Sequence, residues 1–281
     1  MGSMDLSLVI PTLNEAESLG SLVAALTSEL DARLGEAYEI IVVDDGSTDG
    51  TEQIATALAS VYPTVRLLQR PGRGLATAVV YGWQQAEGRV LAVMDGDLQH
   101  PPPVLMQLFD ALEQGATLAV ASRYQSSSTA DWRGSRRSLS HLAQQLGAML
   151  LPSVFAQLSD PLSGYFALRR ELVQGRSLNP VGYKILIEVV ARSGIRRSNI
   201  AEVGYHFGQR RAGQSKATVR QALSYLCHLV RLRLALWQRK AIAPRRFSSS
   251  TVVTCRPQKQ VSQKLVPRKT PLQEPAARNL P

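Results

Sequence analysis

Cysteine is almost absent, with only Cys227 and Cys255 among the 281 residues. Two such residues build neither a disulfide framework nor a zinc site, and a reducing, cytoplasmic setting is the simplest reading. A charged-then-apolar leader is also lacking, so nothing argues for secretion, and Met1-Gly2-Ser3 read as cloning residues placed before a natural Met4. Long uninterrupted apolar runs are missing too. Residues 139–158 are about long enough to span a bilayer, but His141, Gln144, Gln145, Pro152 and Gln157 interrupt them. Residues 219–237 carry Arg220, Arg231 and Arg233. Both segments read as amphipathic helices, lying in a membrane interface or packed on a sheet. Acids are scarce at one end only: from Arg239 onward, ten Lys/Arg stand against Glu274 alone. Nearly all of the +10 net charge therefore lies in that tail, and the body before it is close to neutral.

The tail is rich in Pro, Ser and Gln without apolar periodicity, which predicts disorder from 239 to 281 behind one domain over 1–238. Such a tail meets solvent or anionic lipid, and nucleic acid is the partner not expected. What the body does contain is 44% hydrophobic residues overall and a regular alternation of elements. Aliphatic runs at 6–10, 40–43, 65–68, 90–94 and 118–121 read as buried strands. Helical patterns at 16–34, 51–62, 74–87 and 102–114 lie between them. That order predicts an α/β fold, a Rossmann-like and mostly parallel sheet flanked by helices. Ligands in such sheets bind beyond the carboxyl ends of the strands, which is where the unusual polar residues fall.

Three of those strand ends carry chemistry. Val93-Met94-Asp95-Gly96-Asp97-Leu98-Gln99-His100-Pro101 puts two carboxylates two residues apart after an apolar run. Hard oxygen ligands in that spacing suit a Mg²⁺ or Mn²⁺ shared with a diphosphate, while the plainer reading is a turn that caps the next helix. Ile41-Val42-Val43-Asp44-Asp45-Gly46-Ser47-Thr48-Asp49-Gly50-Thr51 and Val9-Ile10-Pro11-Thr12-Leu13-Asn14-Glu15 offer acceptors for a base or ribose. Each alone is an ordinary turn or cap. Three on one sheet are harder to dismiss.

Pro11-Thr12-Leu13-Asn14-Glu15, Val43 to Thr51 and Asp95-Gly96-Asp97 together resemble family 2 glycosyltransferases of the GT-A fold. The finer resemblance is to dolichol-phosphate mannose synthases and related polyprenyl-phosphate glycosyltransferases. It rests on Met94 to Pro102, Ala121-Ser122-Arg123-Tyr124, Asp160-Pro161-Leu162-Ser163-Gly164-Tyr165-Phe166-Ala167-Leu168, Gly182-Tyr183-Lys184-Ile185 and Arg210-Arg211-Ala212-Gly213-Gln214-Ser215-Lys216. The resemblance implies that Pro11, Leu13, Glu15, Val42, Asp44 and Asp45 hold the nucleoside. Asp95, Asp97 and Gln99 would surround the metal and diphosphate, with Gly96 allowing close backbone approach. Arg123, Lys184, Arg210 and Lys216 would handle phosphates, with Asp97, Arg210 and Lys216 closest to the chemistry. The implied reaction is metal-dependent, inverting transfer of a hexose from a nucleotide sugar to a polyprenyl phosphate. GDP-mannose is favoured as donor, with UDP-glucose or a soluble glycan acceptor as the alternative. Many relatives continue into transmembrane helices, whereas this chain ends in a basic tail. Peripheral attachment to the cytoplasmic face of a membrane is expected, alone or through a separate anchoring protein.

Overall fold

A computed structural model describes residues 4–71, 74–124, 135–206 and 219–242. Seven strands share one sheet: β1 (Leu6–Thr12), β2 (Tyr38–Asp44), β3 (Val65–Gln69), β4 (Val90–Val93), β5 (Leu118–Ser122), β6 (Phe166–Arg169) and β7 (Ile200–Gly204). Their order is β3-β2-β1-β4-β6-β5-β7. All neighbours run parallel except β6, which is antiparallel to both β4 and β5. Eight helices are described: α1 (Ala16–Leu34), α2 (Thr51–Val61), α3 (Leu75–Gln85), α4 (Pro103–Glu113), α5 (Ser135–Leu150), α6 (Pro152–Phe155), α7 (Ile185–Ser193) and α8 (Val219–Ile242).

Every residue of β1, β2, β4 and β5 is buried, as strands covered on both faces must be. The side chains alternate between two cores. Leu8, Ile10, Ile40, Val42 and Ala92 pack with the apolar stripes of α1 and α4. Val9, Ile41, Val43, Leu91 and Val93 pack with α3, α7 and the inner face of α8. Gly82 sets the spacing of α3 on that second face. A Cβ there would lie 2.7 Å from Val9 Cγ1 and 3.1 Å from Val43 Cγ2.

The five strands and four helices read from the first 124 residues all form, with ends shifted by at most a few residues. The apolar stretch expected as one helix over 139–158 does not. Leu151 leaves helical geometry (φ −131°, ψ 59°) because Pro152 follows it, so α5 stops and a single turn, α6, restarts. The expected domain boundary after 238 falls inside α8, and the compact unit runs from Met1 to Ala243. The second unit, Pro244–Pro281, lies outside the described residues. Among the described residues, no helix is long and apolar enough to cross a membrane.

Overpacking makes Gly82→Ala destabilising by about 1–3 kcal/mol. Urea unfolding followed by circular dichroism should show a lower midpoint with an unchanged slope, and an unchanged midpoint would contradict the close approach.

Candidate active site

The carboxyl ends of β1 and β2 lie side by side, with Thr12 in register with Asp44. The Asp44 carboxylate accepts from Thr12 Oγ1 at 3.1 Å and from the backbone N–H of Ser47 at 2.9 Å. Asn14 adopts a left-handed conformation (φ 56°), which Asn tolerates better than most residues. There its N–H donates to Ser47 Oγ and its Oδ1 accepts from Thr48 N–H, both at 2.8 Å. Asp49 then caps two helices at once. Its Oδ2 accepts from Ala16 N–H at 3.0 Å, at the start of α1. Its Oδ1 accepts from Thr51 N–H at 3.1 Å, at the start of α2. Burial pushes the Asp49 carboxyl upward, but the hydrogen bonds from Thr51 and Ala16 outweigh it and hold the group below its ordinary value. Asp45 points toward a third loop: its Oδ2 accepts from Gly74 N–H at 2.7 Å, and its Oδ1 lies 3.0 Å from Arg70 Nε. That second contact is charge on charge rather than an aligned hydrogen bond, since Arg70 Nε has no geometrically acceptable acceptor.

Of the residues expected at the nucleoside, Leu13, Glu15, Asp44 and Asp45 therefore share one edge, with Leu13 exposed. Pro11 is buried beneath them in β1. Val42 departs from the expectation: it is fully buried in the α1/α4 core and offers no side-chain surface to a ligand. The alternation of a strand covered on both faces puts it there.

Beyond β4, the Asp95 side chain is about a third exposed, while Asp97 is almost covered. Gln99 N–H donates to Asp97 Oδ1 at 3.2 Å. Between them Leu98 is held at φ 60°, a strained backbone for a bulky residue, of the kind that clusters at ligand sites. Gly164 permits the approach of the next segment, because a Cβ there would lie 2.8 Å from Asp95 Oδ2. Gly96 is not required by the protein's own atoms. An added Cβ would meet Glu15, Ile10 and Thr12 at an ordinary 3.6 Å, so the protein's own packing does not demand glycine there. Two hard carboxylates in this spacing fit a divalent ion that takes its remaining ligands from phosphate and water. Among the described residues no group of three His, Cys, Asp or Glu could hold a metal by itself.

The third cluster joins β5 to the segment before β6. Arg123 forms a two-pronged ion pair with fully buried Asp160, Nε to Oδ2 at 2.7 Å and Nη2 to Oδ1 at 2.8 Å. Lys184, just before α7, donates from Nζ to the Leu162 carbonyl at 2.7 Å. Burial, with the Arg123 guanidinium adding to it, lowers this ammonium to about 8, although Asp95 and Asp160 pull the other way. His100 Nε2 stands 3.6 Å from Asp95 Oδ2, and its Nδ1 is 3.1 Å from Tyr205 Oη. Burial pushes the Tyr205 hydroxyl far upward, keeping it a neutral hydrogen-bonding group. The site thus unites Asp95, Asp97, Gln99, Arg123 and Lys184. Arg210 and Lys216 lie outside the described residues. Asp160, His100, Tyr205, Asn14 and Asp49 were not singled out from the sequence for any role. For Asp160 the only signal was its place at the head of Asp160-Pro161-Leu162-Ser163-Gly164, and nothing local names a partner 37 residues earlier.

Asp160→Asn leaves the Arg123 guanidinium without its counter-charge, which costs about 3–5 kcal/mol for a buried pair. Chemical denaturation should register that loss, and a variant as stable as the parent would mean that the pair is not buried in solution.

Comparison with known proteins agrees with this geometry. The profile for glycosyl transferase family 2 matches residues 7–176. A dolichol-phosphate mannosyltransferase from Pyrococcus furiosus is 40% identical over 230 residues, which cover 82% of this chain and 64% of that protein. The chain thus spans less than two thirds of the archaeal relative's length. One of the same name from Mycosarcoma maydis is 35% identical over 234 residues, covering 80% of this chain and 78% of its own. Among solved structures, glucosyl-3-phosphoglycerate synthase from Mycobacterium tuberculosis, crystallised with Mn²⁺ and UDP-glucose, superposes with a TM-score of 0.61 at 25% identity. That match covers 83% of this chain and 79% of the other. With the sheet, the strand-end carboxylates and the family profile all coinciding, the chain belongs to glycosyltransferase family 2.

Proposed function

We propose that this glycosyltransferase moves mannose from GDP-mannose to the phosphate of a dolichyl-type polyprenyl lipid, with inversion at the anomeric carbon. The activities named for the archaeal and fungal relatives support the sugar and the acceptor class. One observation within the chain carries the reading. Of the carboxylates at the β4–β6 edge, Asp95 and Asp97 stand two residues apart in the spacing that suits a shared metal, and Asp160 is locked in the fork with Arg123. On this reading two of the three serve the metal and the third is spent on Arg123, which leaves none as a base for a sugar hydroxyl. A lipid phosphate needs no such base, because it is already an anion at neutral pH.

The chemistry then reduces to positioning and charge. The β1 and β2 loops would seat the nucleoside. A divalent ion held by Asp95 and Asp97, as Mn²⁺ accompanies UDP-glucose in the mycobacterial neighbour, would neutralise charge on the departing diphosphate. Arg123 and Lys184 hold positive charge at the rim where a second phosphate would enter. Attack by the acceptor phosphate from the side opposite the leaving group gives inversion in a single displacement. Membrane contact has its own support: α8 exposes Leu223, Leu226, Val230, Leu234 and Trp237, and α5 exposes Leu142 and Met149. Neither helix contains an acid, so both suit an anionic bilayer surface at the cytoplasmic face.

The test uses purified protein, a short polyprenyl phosphate and a panel of radiolabelled sugar nucleotides, with label counted in the organic phase. EDTA-sensitive label from GDP-mannose is expected. Soluble product with no organic-phase label would replace the lipid acceptor with a soluble one, and label from UDP-glucose alone would replace the donor. Asp97→Ala should lower kcat at least about a hundredfold, the scale of losing a charge-stabilising group. Because Lys184 loses its charge as pH rises through about 8, kcat/KM should fall above that pH. Lys184→Met should lack that limb, and an unaltered profile in the variant would remove Lys184 from phosphate handling.

A further inference from the structure

A groove of about 620 Å³ lies between α6, the end of α7 and the last turns of α8. It is separate from the catalytic edge. Ser224 on α8 packs near Gly182, and Trp237 in the groove lies 13 residues further on, roughly 20 Å along the helix. Val154, Val190, Ile195 and Leu236 supply an apolar floor. Three arginines, Arg176, Arg192 and Arg233, line its sides, and no acid does. Arg192 is paired with buried Glu188 beneath it. Arg176 donates to the Leu172 and Arg192 carbonyls, and neither it nor Arg233 has a carboxylate partner among the described residues. The groove therefore presents two arginines without a carboxylate partner among the described residues, Arg176 and Arg233, above hydrocarbon.

We propose that this groove binds the phosphate headgroup and the first chain segment of an anionic membrane lipid, away from the transfer site. Charge and apolar area are both needed to choose this occupant. A free phosphate would leave the floor uncovered, and a neutral lipid would leave the arginines unmatched. The chain's own C-terminal segment, with ten Lys/Arg from residue 239 onward, would be repelled by the rim. Position agrees as well. On the helical wheel Arg233 sits between the inner face of α8 (Leu229, Leu232, Leu236) and its exposed stripe (Leu226, Val230, Leu234), and Trp237 falls within that stripe. A surface that docks that stripe on a bilayer opens the groove toward the same lipid layer, with the exposed Trp237 indole at headgroup depth. The site does not depend on which sugar or acceptor the catalytic edge uses.

Arg231 provides a matched control, because it lines a different cavity on the opposite flank of α8 with Arg70 and Tyr81. Equilibrium binding of dihexanoyl phosphatidic acid, kept below its micelle concentration, is measured on the full chain. Dihexanoyl phosphatidylcholine and inorganic phosphate serve as comparison probes. Saturable binding of the phosphatidic acid alone is expected. Arg233→Gln should weaken it about tenfold, the scale of one charge-assisted hydrogen bond, and Arg231→Gln should change it by less than about twofold. Equal weakening by both variants would reduce the effect to general electrostatics. No effect of Arg233→Gln would place the lipid at the transfer site instead, and equally good binding of inorganic phosphate would remove the role of the floor. Each of those results overturns the proposal. Transfer to a soluble short prenyl phosphate, assayed in parallel, should be unchanged in Arg233→Gln, so failure of this site is distinguishable from failure of the transferase reading.

Discussion

Asp160 is a carboxylate with no access to solvent, and a buried charge persists only when a counter-charge and hydrogen bonds answer it. Arg123 does both through its fork, and the rest of the site depends on that pair. It ties the end of β5 to the segment leading into β6. It also places a guanidinium close enough to Lys184 to help lower that ammonium. The pair turns two neighbouring loops into a fixed frame on which a cation of depressed pKa can sit.

The topology explains why those parts meet. β6 runs against β4 and β5, so the chain entering β6 arrives at the edge where β4 and β5 end. Asp160 to Tyr165 is thereby laid beside Asp95, and Gly164 lets the backbone come close enough to touch its carboxylate. A parallel strand in the same slot would have delivered that segment to the far side of the sheet. The reversal brings a third wall to a site that the βα loops alone would leave open.

The first half of this arrangement was legible in the sequence because its physics is local. A strand covered on both faces is a run of aliphatics, and a polar turn after it lies at the sheet's carboxyl edge. Hence α1 was read with its observed ends, and Asp44, Asp45, Asp95 and Asp97 fell where expected. β6 and β7 were not legible. The first is four residues long, and the second is only half-buried, so neither produces a distinctive pattern. The helix expected over 139–158 failed at Pro152, where steric restriction on the preceding residue outweighed apolar continuity. Asp160 and Tyr205 owe their roles to partners dozens of residues away, as His100 owes its contact with Tyr205, and spacing along the chain carries no trace of such contacts.

The double cap made by Asp49 reaches beyond local stability. One carboxylate holds the first residues of α1 and α2, and Asn14 laces the same two loops from the other side. Neither loop can open without breaking the other's hydrogen bonds, so the recess at the β1–β2 edge behaves as a single rigid plate. On the proposed function, which seats the nucleoside here, base preference would be a matter of which side chains decorate the plate. Drift toward another base would proceed by point exchange on its surface, while an insertion in either loop would dismantle both helix starts at once.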